Sequence, residues 1–288
     1  IPFSFSFSFF IEYHCTVINS PTPLYFETHR CADENAPWLL FVHGAGGSTR
    51  TWRKQIEPCQ SAFHVLLIDM PGHGNSREVT LNDLHYDFEW IANKIWQVVD
   101  LLRIQVINIA GVSLGSIIAM QMLHNRPQQV KAVVFAGPIV GLNLKLRLLA
   151  RSGLTLAKVV GFQTFYAVTA RLALPRKNHQ KSREIFVRES KFLSDAEYRK
   201  WTSMYGKCLD RTLQLLFNTA PKVPMLLLVG TQDHLFMKPA IDYSKRFQSI
   251  QLTLVERCGH LVSLEKSEVF NGHLIDFLQK SNAPQVVI

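Results

Sequence analysis

Cysteine is scarce and unpatterned. Five residues (Cys15, Cys31, Cys59, Cys208, Cys258) are scattered through 288, an odd number with no CxxC pair. That excludes a disulfide framework and a zinc-ligand set, and it predicts free thiols in a reducing cytoplasm. Gly and Pro stand at 15 and 13 and no repeat occurs, so collagen-like, disordered and low-complexity chains are excluded as well. The one long uncharged run, Ile104 to Leu123, has 20 residues, about the length that spans a bilayer. It contains Gln105, Asn108, Gly111, Ser113, Gly115, Ser116 and Gln121, and it divides into a β-rich run, a glycine-bracketed turn and an apolar helix. No transmembrane span is expected from it. The opening IPFSFSFSFF has no basic start, and its Phe/Ser alternation has strand period. It predicts a terminal strand with Phe3, Phe5, Phe7 and Phe9 on one face, not a signal peptide.

What is present is an ordinary globular composition, 47% hydrophobic and 18% charged, long enough to bury a sizeable core. The net charge of +9 is unevenly spread. Pro138 to Ala220 carries 15 Lys+Arg against 5 Asp+Glu, and the rest of the chain 16 against 17. The basic excess therefore sits in one block. Such a block is either a solvated helical face or a surface that attracts an anionic substrate or an anionic lipid surface. No nucleic-acid-binding motif accompanies it, so no nucleic-acid partner is expected.

A βαβ rhythm frames that block. Trp38–Val42, His64–Ile68, Val106–Ala110 and Lys131–Phe135 read as strands, and Phe88, Ile91, Ala92, Ile95, Val99 and Leu102 share one helix face. After Pro221 the rhythm resumes with a strand at Pro224–Gly230, a helix at Pro239–Phe247, a strand at Gln251–Val255 and a final helix bearing Val269, Phe270, Leu274, Phe277 and Leu278. Near-continuous apolar strands alternating with helices imply an α/β fold, a mostly parallel sheet covered on both faces. Between the halves strand signals vanish. Ala167–Leu174 and Glu184–Leu193 read as helices, and Ser194-Asp195-Ala196-Glu197 is a capping box opening a helix expected to stop at Gly206. The expected organisation is a core in two parts, 1–138 and 221–288, with a helical insertion at 139–220.

Gly111-Val112-Ser113-Leu114-Gly115 fits G-x-S-x-G between a strand and a helix. A serine in so sharp a turn has its hydroxyl projected above the sheet edge, and the flanking glycines allow close backbone approach. The hydroxyl needs a base. Of eleven histidines, His260 follows the last strand and precedes the last helix, on the carboxyl edge of the sheet that also carries Ser113. Asp233, just after the strand Met225–Val229, lies on the same edge and is the candidate to orient the imidazole. Glu256 is its competitor, but it stands only four residues before His260. An oxyanion requires backbone donors. Leu114 offers one at a helix start, and Ala45, in His43-Gly44-Ala45-Gly46-Gly47 after a strand, offers the other.

Taken in order, HGAGG, Asp69-Met70-Pro71-Gly72-His73-Gly74-Asn75-Ser76, GVSLG, GTQD and CGH resemble the α/β-hydrolase fold superfamily over nearly the whole chain. The order Ser, Asp, His is that superfamily's order. The resemblance implies a sheet of the eight-stranded type, a helical cap formed by the insertion, and structural rather than chemical roles for His43 and His73. Because the nucleophile is Ser, likeness to epoxide hydrolases and haloalkane dehalogenases stops at the fold. The implied activity is a carboxylesterase reaction, with catalytic Ser113, Asp233 and His260 and an oxyanion hole from Ala45 and Leu114, and the basic charge and aromatics of the insertion point to a small anionic or amphipathic ester. No cofactor and no metal are implied. Carbon–carbon bond hydrolysis, lactone hydrolysis, a slowly turning-over ligand receptor and a lipase at a membrane surface are the alternatives. Phe162, Phe165, Tyr166, Trp201, Tyr205 and Phe217 of the insertion are candidates either for an acyl pocket or for the insertion's own core.

Overall fold

The computed structural model describes residues 23–80, 87–142 and 161–283. The expected strand at Phe3 to Phe9 lies outside the described residues. Among the described residues seven strands form one sheet: β1 (Phe26–His29), β2 (Trp38–Val42), β3 (His64–Ile68), β4 (Ile107–Val112), β5 (Val130–Ala136), β6 (Met225–Gly230) and β7 (Ile250–Val255). Their spatial order is β1-β3-β2-β4-β5-β6-β7. Every pairing is parallel except β1 with β3, where Phe26 faces Ile68. The α/β class, the mostly parallel sheet and the helices on both faces are as the sequence predicts. Strand β1 was not foreseen. Four residues on an edge carry too little periodicity to be read.

Alternation within the strands explains why they look uniformly apolar. Leu40, Val42, Leu66 and Ile68 point to one face, into a cluster with Phe88, Ile91, Ile95, Ile117 and Ile118. Leu39, Phe41, Val65 and Leu67 point to the other, against Trp52, Phe270, Leu274 and Phe277. The first face is covered by α2 (Phe88–Leu101) and α3 (Leu114–Asn125), the second by α1 (Arg53–Gln60) and the terminal helix. Asp87 opens α2 by accepting from the Trp90 amide at 2.8 Å. Helix α3 is buried on all sides from Leu114 to Leu123, which is why it resembles a membrane segment in the sequence.

Between β5 and β6 the described chain is helical, with α4 (Phe162–Ala173), α5 (Gln180–Ser190) and α6 (Asp195–Phe217). Ser194 caps α6 as predicted, its hydroxyl accepting from the Glu197 amide at 3.1 Å. The predicted stop at Gly206 is wrong. Helix α6 runs through it to Phe217, because Leu213, Leu216 and Phe217 pack into the core beneath and outweigh the roughly 1 kcal/mol that a helical glycine costs. Beyond β6 come α7 (Met237–Ser244), a single turn α8 (Val262–Glu265) and α9 (Ser267–Asn282). Among the described residues no helix is long and apolar enough to cross a membrane.

Packing this dense leaves α3 no room for a cavity, since every residue from Leu114 to Leu123 is buried. Truncating Ile118, fully buried between sheet and helices, to Ala is expected to cost about 2–5 kcal/mol. Urea unfolding should show a lowered midpoint with an unchanged slope.

Candidate active site

The site grows from the turn between β4 and α3. Ser113 has φ 53° and ψ −117°, in the left-handed half of backbone space that a serine seldom occupies. The turn is tight because two backbones nearly touch. A Cβ at Gly115 would run into the carbonyl oxygens of Val42 and His43, and one at Gly111 would stand 2.6 Å from the Gly115 oxygen. The glycine bracket read in the sequence is therefore a steric requirement. It leaves the Ser113 hydroxyl facing the carboxyl edge of the sheet, where the loops after β2, β6 and β7 converge.

The loop after β7 brings His260 to that edge. Its Nε2 lies 2.9 Å from Ser113 Oγ and its Nδ1 2.7 Å from Asp233 Oδ2. With Nδ1–H donating to the carboxylate, Nε2 is free to accept from the serine hydroxyl. The imidazole packs 4.9 Å from the Phe236 ring. Gly137, at φ 53°, leaves room for it, since a Cβ there would stand 3.0 Å from Nδ1. Asp233 is fully buried, and Oδ1 accepts from the amides of Leu235 at 3.2 Å and Phe236 at 3.0 Å. Burial raises its pKa, but the charge and hydrogen bond of His260 and the two amide bonds outweigh burial, so the carboxyl sits below its ordinary value. Glu256, the competitor, stays exposed, its carboxylate 3.4 Å from the Thr231 hydroxyl.

Two buried histidines shape the loop after β2. His43 Nδ1–H donates to the Gly44 carbonyl at 2.8 Å while Nε2 accepts from the Met70 amide at 3.0 Å. His73 Nδ1–H donates to the Pro71 carbonyl at 2.9 Å while Nε2 accepts from the Gly46 amide at 3.1 Å. Burial depresses their pKa values to about 4 and about 3, so both rings are neutral near pH 7. Asp69 ties the neighbouring loop, accepting from the amides of Thr49 at 2.6 Å and Asn75 at 2.7 Å. Ala45 thus lies beside Ser113 in the cavity wall, and Leu114 begins α3, where an amide has no intrahelical acceptor.

The helical block reaches the same loop. The Tyr166 hydroxyl of α4 donates to the Ala45 carbonyl. Glu189 of α5, buried, accepts from the Ser48 hydroxyl at 2.8 Å and Arg50 Nε at 3.1 Å. Sequence reading missed both contacts, since nothing local marks partners 121 and 141 residues apart. The cavity above Ser113 is about 30 Å³, enough for a couple of waters. Its described walls are the 44–47 loop and Ser113 on one side, Ile185, Phe186 and Glu189 on another, and Leu261 and Leu264 on a third. None of the six insertion aromatics proposed for an acyl pocket lines it. Phe162 and Tyr166 form a small core of their own, and Trp201 and Phe217 join the main core. Among the described residues no group of three or more His, Cys, Asp or Glu could hold a metal ion.

A parallel sheet with a strained serine between β4 and α3, met at its carboxyl edge by a histidine and an aspartate, is the architecture of a hydrolase. The chain belongs to the alpha/beta hydrolase fold family, which it matches over residues 37–267. It is similar to a 2-succinyl-6-hydroxy-2,4-cyclohexadiene-1-carboxylate synthase of Serratia proteamaculans, at 27% identity over 259 residues covering 85% of this chain and 94% of that one. Among solved structures it is similar to the enol-lactonase of Burkholderia xenovorans (TM-score 0.75, 18% identity, 89% and 96% of the two chains). An esterase of Exiguobacterium antarcticum is similar to the same degree (TM-score 0.75, 16% identity, 89% and 95%).

The backbone contact at Gly115 sets the sharpest structural test. Gly115→Ala is expected to lose about 1–3 kcal/mol, as overpacked cores do, read as a lowered urea midpoint.

Proposed function

We propose that the protein is a serine hydrolase that cleaves a small carboxylic ester through an acyl-enzyme, with Ser113 as nucleophile, His260 as base and Asp233 as its orienting partner. The observation that carries this reading is the unbroken chain of contacts from Asp233 through His260 to Ser113 Oγ, at 2.7 and 2.9 Å. His260 takes the hydroxyl proton as Oγ attacks the ester carbonyl, and the amides of Leu114 and Ala45 receive the developing oxyanion. His260 then gives the proton to the leaving alkoxide. A water, deprotonated by the same imidazole, attacks the acyl carbonyl, and as that intermediate collapses His260 returns the proton to Ser113 Oγ and the acid product leaves, while Asp233 stabilises the imidazolium in both halves.

The block 139–220 acts in this reading as a cap on a core made of 1–138 and 221–288. Its support is the contribution of Ile185, Phe186 and Glu189 to the cavity wall. Free thiols at Cys31, Cys59 and Cys258 suit a reducing cytoplasm. The test of the nucleophile is Ser113→Ala. Hydrolysis of 4-nitrophenyl acetate should disappear while the thermal unfolding transition remains, and turnover at the wild-type rate in that variant contradicts the assignment.

Charge enters differently. Arg171, Arg176, Lys177, Lys181, Arg188 and Lys191 are exposed, and no basic side chain lines the described cavity, whose charged group is Glu189. The basic face therefore acts on the approach of an anionic ester rather than on its recognition. At low salt kcat/KM should be higher for a carboxylate-bearing ester than for its neutral analogue, and the advantage should vanish near 1 M salt, where the screening length is about 3 Å. A difference that persists in high salt removes steering from the account.

A further inference from the structure

One buried carboxylate outside the proposed triad grips the loop that carries its base. Glu265, at the end of the single turn α8, folds back so that Oε2 accepts from the Gly259 amide at 2.8 Å and Oε1 from the Leu261 amide at 3.1 Å. These are the backbone amides of the residues just before and just after His260. Both carboxylate oxygens are used on the one segment whose orientation decides where the imidazole points. The side chain is only 4% exposed, so water does not compete for those bonds.

The second observation comes from the other side. His179, fully buried, arrives from the helical block in the turn Lys177–His179. Its Nε2 donates to Gln232 Oε1 at 2.8 Å and stands 3.6 Å from Glu265 Oε2. Its Nδ1 accepts from the Arg176 amide at 3.4 Å. Gln232 immediately precedes Asp233, and its own amide donates to the Cys258 carbonyl at 2.8 Å. Asn178 adds bonds to Gln232 Oε1 at 3.0 Å and to the Arg257 carbonyl at 3.2 Å. The fit is close. A Cβ at Gly259 would stand 2.9 Å from the His179 ring and 3.0 Å from Glu265 Oε1, and one at Gly230 would run into the carbonyls of Cys258 and Gly259.

From this geometry we infer that Glu265 is a positioning residue for His260, and that His179 couples the seating of the helical block to the alignment of Asp233 and His260. The inference rests on the triad reading above and deepens it. Neither residue touches the reacting atoms. Glu265 fixes the backbone on both sides of the base, and His179 bridges it to the residue before the aspartate. An insertion that lifts from its seat removes the bridge and loosens both loops at once. Catalytic competence is thereby tied to the closed position of the block, without any contact between His179 and substrate.

The test uses the full chain with Glu265→Gln, His179→Leu and His179→Gln, each checked by thermal unfolding. Three quantities are read: kcat and KM on 4-nitrophenyl acetate, the rate of Ser113 labelling by a fluorophosphonate, and the low-field proton resonance of the His260 Nδ1–H bond to Asp233. Glu265→Gln turns an amide donor toward one of the two loop amides. It is expected to lower kcat about ten-fold or more, since hydrogen bonds to charged groups have that weight. KM should stay within about two-fold, labelling should slow in parallel and the resonance should shift or broaden. A folded Glu265→Gln protein with wild-type kcat and an unmoved resonance overturns the inference. If that variant does not fold, the His179 pair decides. His179→Gln keeps a donor near the reach of Nε2 and should work at close to the wild-type rate, with His179→Leu clearly slower. Equal rates in the two, fast or slow, overturn the coupling. Wild-type protein that resists labelling at Ser113 overturns the triad reading and this inference with it, whereas labelled wild type with equally labelled variants overturns only the inference.

Discussion

The site depends on two backbones meeting without side chains between them. Gly115 sits against the carbonyls of Val42 and His43, so the start of α3 and the end of β2 lie as close as peptide groups can. That approach has two effects. It sharpens the turn until Ser113 is driven to φ 53°, and it places the Ala45 loop beside the serine. A backbone so conformed costs about 1–3 kcal/mol and persists only where its surroundings impose it. Here they do: ten consecutive residues of α3 are buried, and the helix cannot shift to relieve its own first turn. The strain at the serine is held by apolar packing several turns away.

The sequence was most legible where its signal is local and periodic. Strands Trp38–Val42 and His64–Ile68 agree with the structure to the residue, since uninterrupted apolar runs bounded by turn residues leave little freedom. The Ser113, Asp233 and His260 positions were readable for a different reason. Each stands on the loop that follows a strand, and the parallel strands bring those loops to one edge. Edge strand β1 and the continuation of α6 past Gly206 were not readable, because both are decided by tertiary contact: pairing with β3 in one case, burial of Leu213, Leu216 and Phe217 in the other. Contacts reaching from Tyr166, His179 and Glu189 to the site cross 53 to 141 residues. No local pattern encodes them. The aromatics of the insertion show the limit of composition, for they are rich enough to suggest a pocket, yet Phe162 and Tyr166 fill a small core of the insertion while Trp201 and Phe217 pack into the main core.

The helical block is consequently less a separate unit than a clamp with two jaws. Tyr166 and Glu189 grip the loop that carries Ala45, while His179 grips the loops that carry Asp233 and His260. Glu189 pairs with both Arg50 and Arg188, while Arg171, Arg176, Lys177, Lys181 and Lys191 of the block are exposed.

The paired neutral rings of His43 and His73 have a price in acid. Each imidazole is locked by a donor bond on one nitrogen and an acceptor bond on the other, so the native chain refuses a proton that its denatured counterpart accepts readily below pH 6.5. Because the folded values are depressed, the stability they contribute is intact above pH 6.5. It drains away by roughly 1 kcal/mol per pH unit for each ring on the way down to about 4 and about 3. Mild acidification therefore weakens the molecule as a whole while leaving the bonds of the loop after β2 formed in every copy that is still native. An acidic environment would thin the population of this protein before it altered the shape of any survivor.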